Sequence, residues 1–342
     1  MQLMRVTKLR PCPVCGRPDW CRVHSSGRYA ICNRVQSAEP ARGNGWLHRL
    51  QHRLPSRPMG CSPSAVKSGL SAPLSRRHSV YSALLQLLPL ELHHRQNFEQ
   101  RGFSEEAIRS GGYASLPLQG RAELCRRLRR AGHDLGGIPG FYLKSDNGRS
   151  WRSLAGPPGL VVPIRDADGM VEACQVRRDD EDAGSKYAWL STAGRPQGAS
   201  SGAPAHVARP STPIRDRRTW LTEGPLKANV TSERLAAVVI GVPGVASWRA
   251  GLDAANGLAS ELRHLVVAYD LDFATNLHVA AARNELIVGA VQAGWNVEVA
   301  AWNPKAKGID DALALGLKIT TAPSSPVVIR SRIHKRDFVI LL

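Results

Sequence analysis

The chain has 342 residues, too many for one ordinary hydrophobic core, so two or three domains are expected. Lys and Arg total 46 against 28 for Asp and Glu, a net +18 that favours a polyanionic partner such as nucleic acid. No apolar run reaches the roughly 18 residues of a membrane span. The charged start MQLMRVTKLR lacks the apolar segment of a signal peptide, so a cytoplasmic chain with no membrane partner is predicted.

Residues 1–50 are short, turn-rich and rich in Cys. The stretch CPVCGRPDWCRVHSSGRYAIC carries Cys12, Cys15, Cys21 and Cys32. A Cys-x2-Cys turn brings two thiolates to one tetrahedral ion, and later strands return the other two, so a structural Zn²⁺ is predicted. The metal replaces a core that so few residues cannot build. His24 competes for one ligand place. The four-Cys set is preferred because Ala30-Ile31-Cys32 reads as a strand delivering a buried thiol. Arg17, Trp20, Arg22, Arg28, Tyr29 and Arg34 mix cations with aromatics, a composition suited to single-stranded nucleic acid.

Residues 51–80, rich in Pro, Ser and Arg, read as a basic linker. From Tyr81 the apolar positions Leu84, Leu85, Leu87, Leu88 and Leu92 predict a helix, and helices continue to Leu128. Leu160–Ile164 and Val171–Val176, with Asp168-Gly169 between them, predict a β-hairpin. Lys186–Leu190 adds a short strand, and residues 194–212 form a loop. After Arg218 strands and helices alternate, which predicts a parallel sheet covered on both faces. The end of the chain, 321–342, reads either as an extra strand or as a basic tail.

The segment TWLTEGPLKA puts Glu223 at the C-terminal end of a strand. Gly224 allows a sharp turn, and Pro225 suits the first turn of the next helix. In LVVAYDLDFATN, Asp270 and Asp272 follow a neighbouring strand at the same end, where ligands of open parallel sheets sit. Three carboxylates meeting there repel one another unless a cation binds, and hard oxygen donors suit Mg²⁺ or Mn²⁺. Lys305 and Lys307 precede Asp310 and Asp311 at the start of the last helix. Asp310 either adds a metal ligand, as does Asp311, or caps its helix. The lysines, with Lys227, are candidates for binding nucleotide phosphates.

At these residues the chain resembles the TOPRIM domain of primases, topoisomerases and some nucleases, which carries a Glu after its first strand and Asp-x-Asp after its third. Glu223, Asp270 and Asp272 match those positions. The stretch WNPKAKGIDDALA resembles TOPRIM-like domains of mobile-element replication proteins and phage primase-helicases. The preceding GLVVPIRDADGMVEACQVRRDD and KYAWLS are similar to the segment before TOPRIM in bacterial replicative primases, with Arg177, Arg178 and Lys186 at the matching basic positions.

The resemblance implies a TOPRIM-type α/β parallel sheet over 211–320, flanked by helices. Before it come a primase-like α+β subdomain over 81–210 and the zinc module. It also implies RNA-primer synthesis on single-stranded DNA from NTPs, with Glu223, Asp270 and Asp272 as catalytic residues and metal ligands. The zinc spacing, Cys-x2-Cys-x5-Cys-x10-Cys, departs from that of replicative primases, so template preference does not carry over. The stretch Gly-x4-Gly-Lys-Ser/Thr is missing, so a separate replicative helicase is the expected partner. The alternatives are a TOPRIM nuclease or topoisomerase, the latter needing a Tyr nucleophile in a further domain, and a non-catalytic DNA-binding factor of replication or recombination.

Overall fold

The computed structural model describes residues 3–7, 10–17, 20–25, 27, 29–33, 35, 37, 39, 41, 45–50, 70–180, 185–258, 263–271, 276–324, 327–330 and 337–340. Asp272, Arg28 and Arg34 lie outside the described residues. The chain divides into two compact units, Met1–Ala65 and Val66–Leu342.

In the first unit, β1 (Leu3–Arg5), β2 (Arg22–His24), β3 (Tyr29–Cys32) and β4 (Trp46–Arg49) form an antiparallel sheet in sequence order. Its buried residues are Val6, Val23 and Ala30 with Cys12, Cys21 and Cys32. Half of this small core is thiol, so the apolar surface alone is a weak basis for folding.

The second unit opens with α1 (Leu74–Leu87), α2 (Leu92–Gln100), α3 (Glu105–Gly111), β5 (Ala114–Leu116) and α4 (Arg121–Arg130). Helix α1 begins inside the span read from sequence as linker. Its Ser and Arg residues form the outer face of a helix that buries Val80, Tyr81 and Leu84. Arg77 reaches inward instead, donating to the carbonyls of Ala72 and Glu172. The hairpin β6 (Phe141–Asp146) and β7 (Arg149–Leu154) follows, turning at Asn147-Gly148. Next come β8 (Gly159–Arg165), β9 (Val171–Arg178) and β10 (Tyr187–Trp189). They join β5 in an antiparallel sheet of order β10-β9-β8-β5. The Asp166 carboxylate accepts from the N–H groups of Asp168 and Met170 and so fixes the β8–β9 turn.

The larger sheet holds β11 (His206–Ala208), β12 (Asp216–Glu223), β13 (Ala237–Val242), β14 (His264–Val267), β15 (Asn296–Ala301) and β16 (Thr320–Pro323), in the order β11-β13-β12-β14-β15-β16. Its four inner strands are parallel, and both edge strands are antiparallel. The helices are α5 (Pro225–Leu235), α6 (Trp248–Gly257), α7 (Leu277–Gln292) and α8 (Ile309–Ala314). Leu221, Ile240, Leu265 and Val267 pack with Leu252 of α6 and Leu286 of α7. The alternate residues Trp220, Val239 and Val266 pack with Ala228 of α5 and Ala312 of α8. This period of two buries both faces, which is why these strands read as apolar runs. β17 (Val327–Arg330) and β18 (Asp337–Ile340) pair with each other in the stretch read as strand or tail.

His206 joins the two sheets. Its Nδ1 accepts from the Arg165 N–H of β8 at 3.0 Å, so Nε2 carries the proton and donates to Asn229 of α5 at 2.9 Å. Burial pushes this imidazole down to about 4.

Candidate functional site

The chain leaves β12 to the β13 side of the sheet, while β14 pairs on its other side. The crevice between the C-terminal ends of β12 and β14 is therefore a topological switch point, where open α/β sheets bind ligands. Glu223 is the last residue of β12, and Asp270 comes just after β14. Gly224 at φ +79° turns the backbone off the strand, with Pro225 in the first turn of α5.

Lys227, also in that turn, donates to Asp270 Oδ1 and lies 3.9 Å from Asp310 Oδ1. A cation in the first turn opposes the helix dipole. The two carboxylates, largely buried, offset that cost. Lys307 Nζ is 3.9 Å from Asp270 Oδ2, and the Lys307 carbonyl accepts from the Leu271 N–H. Gly308 closes the group. A Cβ there would lie 2.6 Å from Asp310 Oδ1, 2.8 Å from Lys227 Nζ and 3.2 Å from Asp270 Oδ1, so any side chain would displace these charged groups from one another.

Asp310 is the electrostatically costly member. Burial raises its pKa, and neighbouring Asp311 adds to the rise, while Lys227 and Arg101 oppose it. Its Oδ1 is buried with no hydrogen-bond partner. An under-satisfied carboxylate oxygen beside a second carboxylate is what a cation or a ligand donor would satisfy. Tyr269 has the same character: its hydroxyl is buried without a hydrogen-bond partner, and burial, with the charge of Glu223, pushes it well up.

Sequence reasoning missed Arg101. Its guanidinium sits 3.6 Å from Asp310 Oδ2 and, with Asn97 and Asp310, lines a cavity of about 260 Å³. Asn97 Oδ1 in turn accepts from Arg177 NH1 at 3.1 Å. Asn97 and the C-cap Arg101 stand at i and i+4, so the end of α2 joins Arg177 of the smaller sheet to Asp310 of α8. The helical period and the Arg were readable, but nothing local named their partners.

Arg177 and Arg178 end β9. Arg178 donates to the Ser185 carbonyl, and exposed Lys186 precedes β10. Lys305 and Asp311 are exposed. Among the described residues, the groups whose ligand atoms all lie within 4.8 Å of one another are the four cysteines and His93–His94–Asp179. The carboxylates of Glu223, Asp270 and Asp310 make no such group, and the Lys227 ammonium faces both Asp270 and Asp310.

In the first unit Cys12, Cys21 and Cys32 are buried and Cys15 is half-buried. The Sγ atoms of Cys15 and Cys21 are 3.7 Å apart, and those of Cys21 and Cys32 are 3.8 Å apart. Tetrahedral Zn–S bonds of about 2.3 Å require edges of about 3.8 Å, so the set fits zinc. The N–H groups of Asn33 and Val35 point at Cys21 and Cys32 sulfur. Burial raises Cys12 and pushes Cys21 up to about 12, whereas at Cys15 hydrogen bonds from the Arg17 backbone and the other thiols outweigh burial and lower it to about 7, so Cys12 and Cys21 are thiolates at neutral pH only if a cation shares them. His24 is outside this set.

Residues 211–316 match a family described as a domain of unknown function (DUF3854). No curated protein matches the sequence. Among solved structures, the zinc-binding and RNA polymerase domains of Aquifex aeolicus primase superpose with TM-score 0.53 at 16% identity. That match covers 73% of this chain and 63% of the Aquifex chain, so the protein spans less than two thirds of that relative. The RNA polymerase domain of Mycobacterium tuberculosis primase DnaG gives 0.52 at 17%, covering 71% and 82%. The same domain bound to a double-stranded DNA oligomer with a 6-nucleotide overhang gives 0.51 at 17%, covering 71% and 77%. The second unit therefore has the fold of a DnaG-type primase RNA polymerase domain. No helix among the described residues is long and apolar enough to cross a membrane.

Proposed function

We propose that the protein is a primase of a mobile element or phage, making short RNA primers on single-stranded DNA by metal-dependent nucleotidyl transfer. The observation that carries this reading is the group Asp270, Lys227, Asp310 and Lys307 at the switch point of a primase-like fold. In this reading the larger sheet is a TOPRIM domain over 211–320, and residues 81–210 form the primase-like subdomain.

Asp270 and Asp272, with Glu223, would hold Mg²⁺ or Mn²⁺, and Asp310 and Asp311 would complete the acidic set. Such an ion, when bound, polarises the α-phosphate and lowers the pKa of the attacking 3′-hydroxyl. Glu223, half-buried at the strand end, would accept the proton of that hydroxyl as its oxygen bonds the α-phosphorus and the bond to the β-phosphate breaks, releasing pyrophosphate. Lys227 moves from Asp270 to the nucleotide phosphates, and exposed Lys305 and Lys307 neutralise the triphosphate. Arg177, Arg178 and Lys186 form the basic surface for the template backbone. The zinc module adds exposed Trp20 and Tyr29 for stacking on unpaired bases. A separate replicative helicase supplies the single strand.

The Lys227–Asp270 pair also favours a second reading, a non-catalytic DNA-binding factor in which the ammonium permanently replaces the metal. Full-length protein incubated with single-stranded DNA, NTPs and Mg²⁺ separates these readings. RNA oligomers that disappear in Asp270→Ala support the primase. Tight DNA binding without product, with helicase added, supports the second reading, and cut DNA points to a TOPRIM nuclease.

A further inference from the structure

At the start of α2, two adjacent imidazoles face one carboxylate oxygen. His94 Nε2 is 2.8 Å from Asp179 Oδ1, and His93 Nε2 is 3.8 Å from the same atom. The two rings stand 4.0 Å apart, centroid to centroid. A single hydrogen bond to Asp179 uses only His94, since 3.8 Å is beyond hydrogen-bonding reach. A His–Asp pair therefore leaves the placement of His93 unexplained.

A metal explains all three side chains. Ligands at about 2.1 Å from an ion lie about 3.0–3.4 Å apart in octahedral or tetrahedral geometry. The two observed separations bracket that range. The rest of His94 is built as a metal-bound histidine requires. It is buried, and its Nδ1 lies 2.7 Å from Ser115 Oγ. Ser115 Oγ is itself held by the Glu91 N–H at 2.8 Å. An outer partner on one ring nitrogen fixes the imidazole so that the other nitrogen points at the ion. His93 and Asp179 are open to solvent, with side chains 62% and 42% exposed, which leaves an entry path and room for bound water.

We propose that His93, His94 and Asp179 form a second metal centre, distinct from the four-Cys module and from the acidic switch-point group, that takes a divalent first-row transition ion. Two imidazoles and one carboxylate select Zn²⁺, Co²⁺ or Ni²⁺ over Mg²⁺. The centre ties the first turn of α2 to the end of β9, just past Arg177 and Arg178. Helix α2 also carries Asn97 and is capped by Arg101, so the ion fixes the helix that links Arg177 to Asp310.

Native mass spectrometry of the full chain at saturating Zn²⁺ tests this. His93→Ala and Asp179→Asn are each expected to carry one zinc fewer than wild type. Asp270→Ala is expected to keep the wild-type number at this centre. Far-UV circular dichroism confirms that the variants are folded. Titration with Co²⁺ of protein carrying zinc only in the four-Cys module, followed by NMR shifts of the His93 and His94 ring protons, gives a second readout. Ser115→Ala should weaken binding by about tenfold, the usual cost of losing such a partner. An unchanged zinc count in both His93→Ala and Asp179→Asn overturns the proposal, as do imidazole signals unmoved by Co²⁺.

Discussion

At the end of the large sheet where β12 begins, the carboxylates of Asp216 and Glu298 share a well-placed cation. Arg218 donates to Asp216 and Glu298 at 2.8 Å each, and Trp220 Nε1 donates to Asp216 at 2.9 Å. At the end where β12 stops, Lys227 faces two carboxylates, and Asp310 keeps a buried oxygen with no hydrogen-bond partner. Both ends set a cation against two carboxylates, on β12 and β15 at the first and on α5, α8 and the segment after β14 at the second. At the first the carboxylates are saturated and stabilise the fold, whereas the second retains unsatisfied charge that a ligand can use.

The sharpest test of this contrast is Asp270→Ala. Primer synthesis should fall by at least about a hundredfold, the scale lost when a transition-state electrostatic partner is removed. Stability in urea should change by under about 1 kcal/mol, because Lys227 retains Asp310. A large loss of stability with activity preserved would reverse the assignment of the two ends.

Arg218→Ala is the converse. It leaves the partly buried Asp216 and Glu298 carboxylates without their main cation, at a cost of about 2–3 kcal/mol in urea denaturation. Product formed per folded molecule should stay at the wild-type level, since Arg218 lies at the far end of β12 from Glu223.

The difference between the two ends also governed what the sequence disclosed. The β-α alternation, the β8–β9 hairpin and the four-Cys spacing are local patterns, and the structure carries each of them. The positions of Glu223 and Asp270 at strand ends were legible because each follows a local apolar run. Arg101–Asp310 and Arg218–Glu298 were not, because each joins residues far apart in the chain and no short-range periodicity encodes the pairing. The start of α1 was hidden differently: its Ser and Arg composition matches a linker, and only tertiary burial of Val80 and Tyr81 makes it a helix.

A smaller effect is expected from Asp310→Asn. Burial outweighs the help from Lys227 and Arg101, so the neutral side chain should raise stability at neutral pH by up to about 1 kcal/mol while lowering primer synthesis. A stability gain without loss of activity would make Asp310 a structural acid only.

The smallest effect is the pH dependence, where the two ends should respond with opposite sign. Burial alone would raise Asp216 and Glu298. Arg218 and Trp220 hold Asp216 below its ordinary 3.8 instead, and Thr321, His264 and Arg218 hold Glu298 below its ordinary 4.5. Their stabilisation is present above those ordinary values and is lost as pH falls through the lower folded values. Asp310 is raised above 3.8, so the folded state binds its proton more tightly than the unfolded chain does. Its ionisation therefore costs stability as pH rises through the folded value, and acidification recovers that cost. In urea series run from about pH 7 to about pH 3, the advantage of Asp310→Asn over wild type should shrink first. The deficit of Arg218→Ala should persist to lower pH and shrink only as Asp216 and Glu298 take up protons. If both differences fade together, the two ends share one electrostatic environment, and the division between a saturated end and a poised end fails.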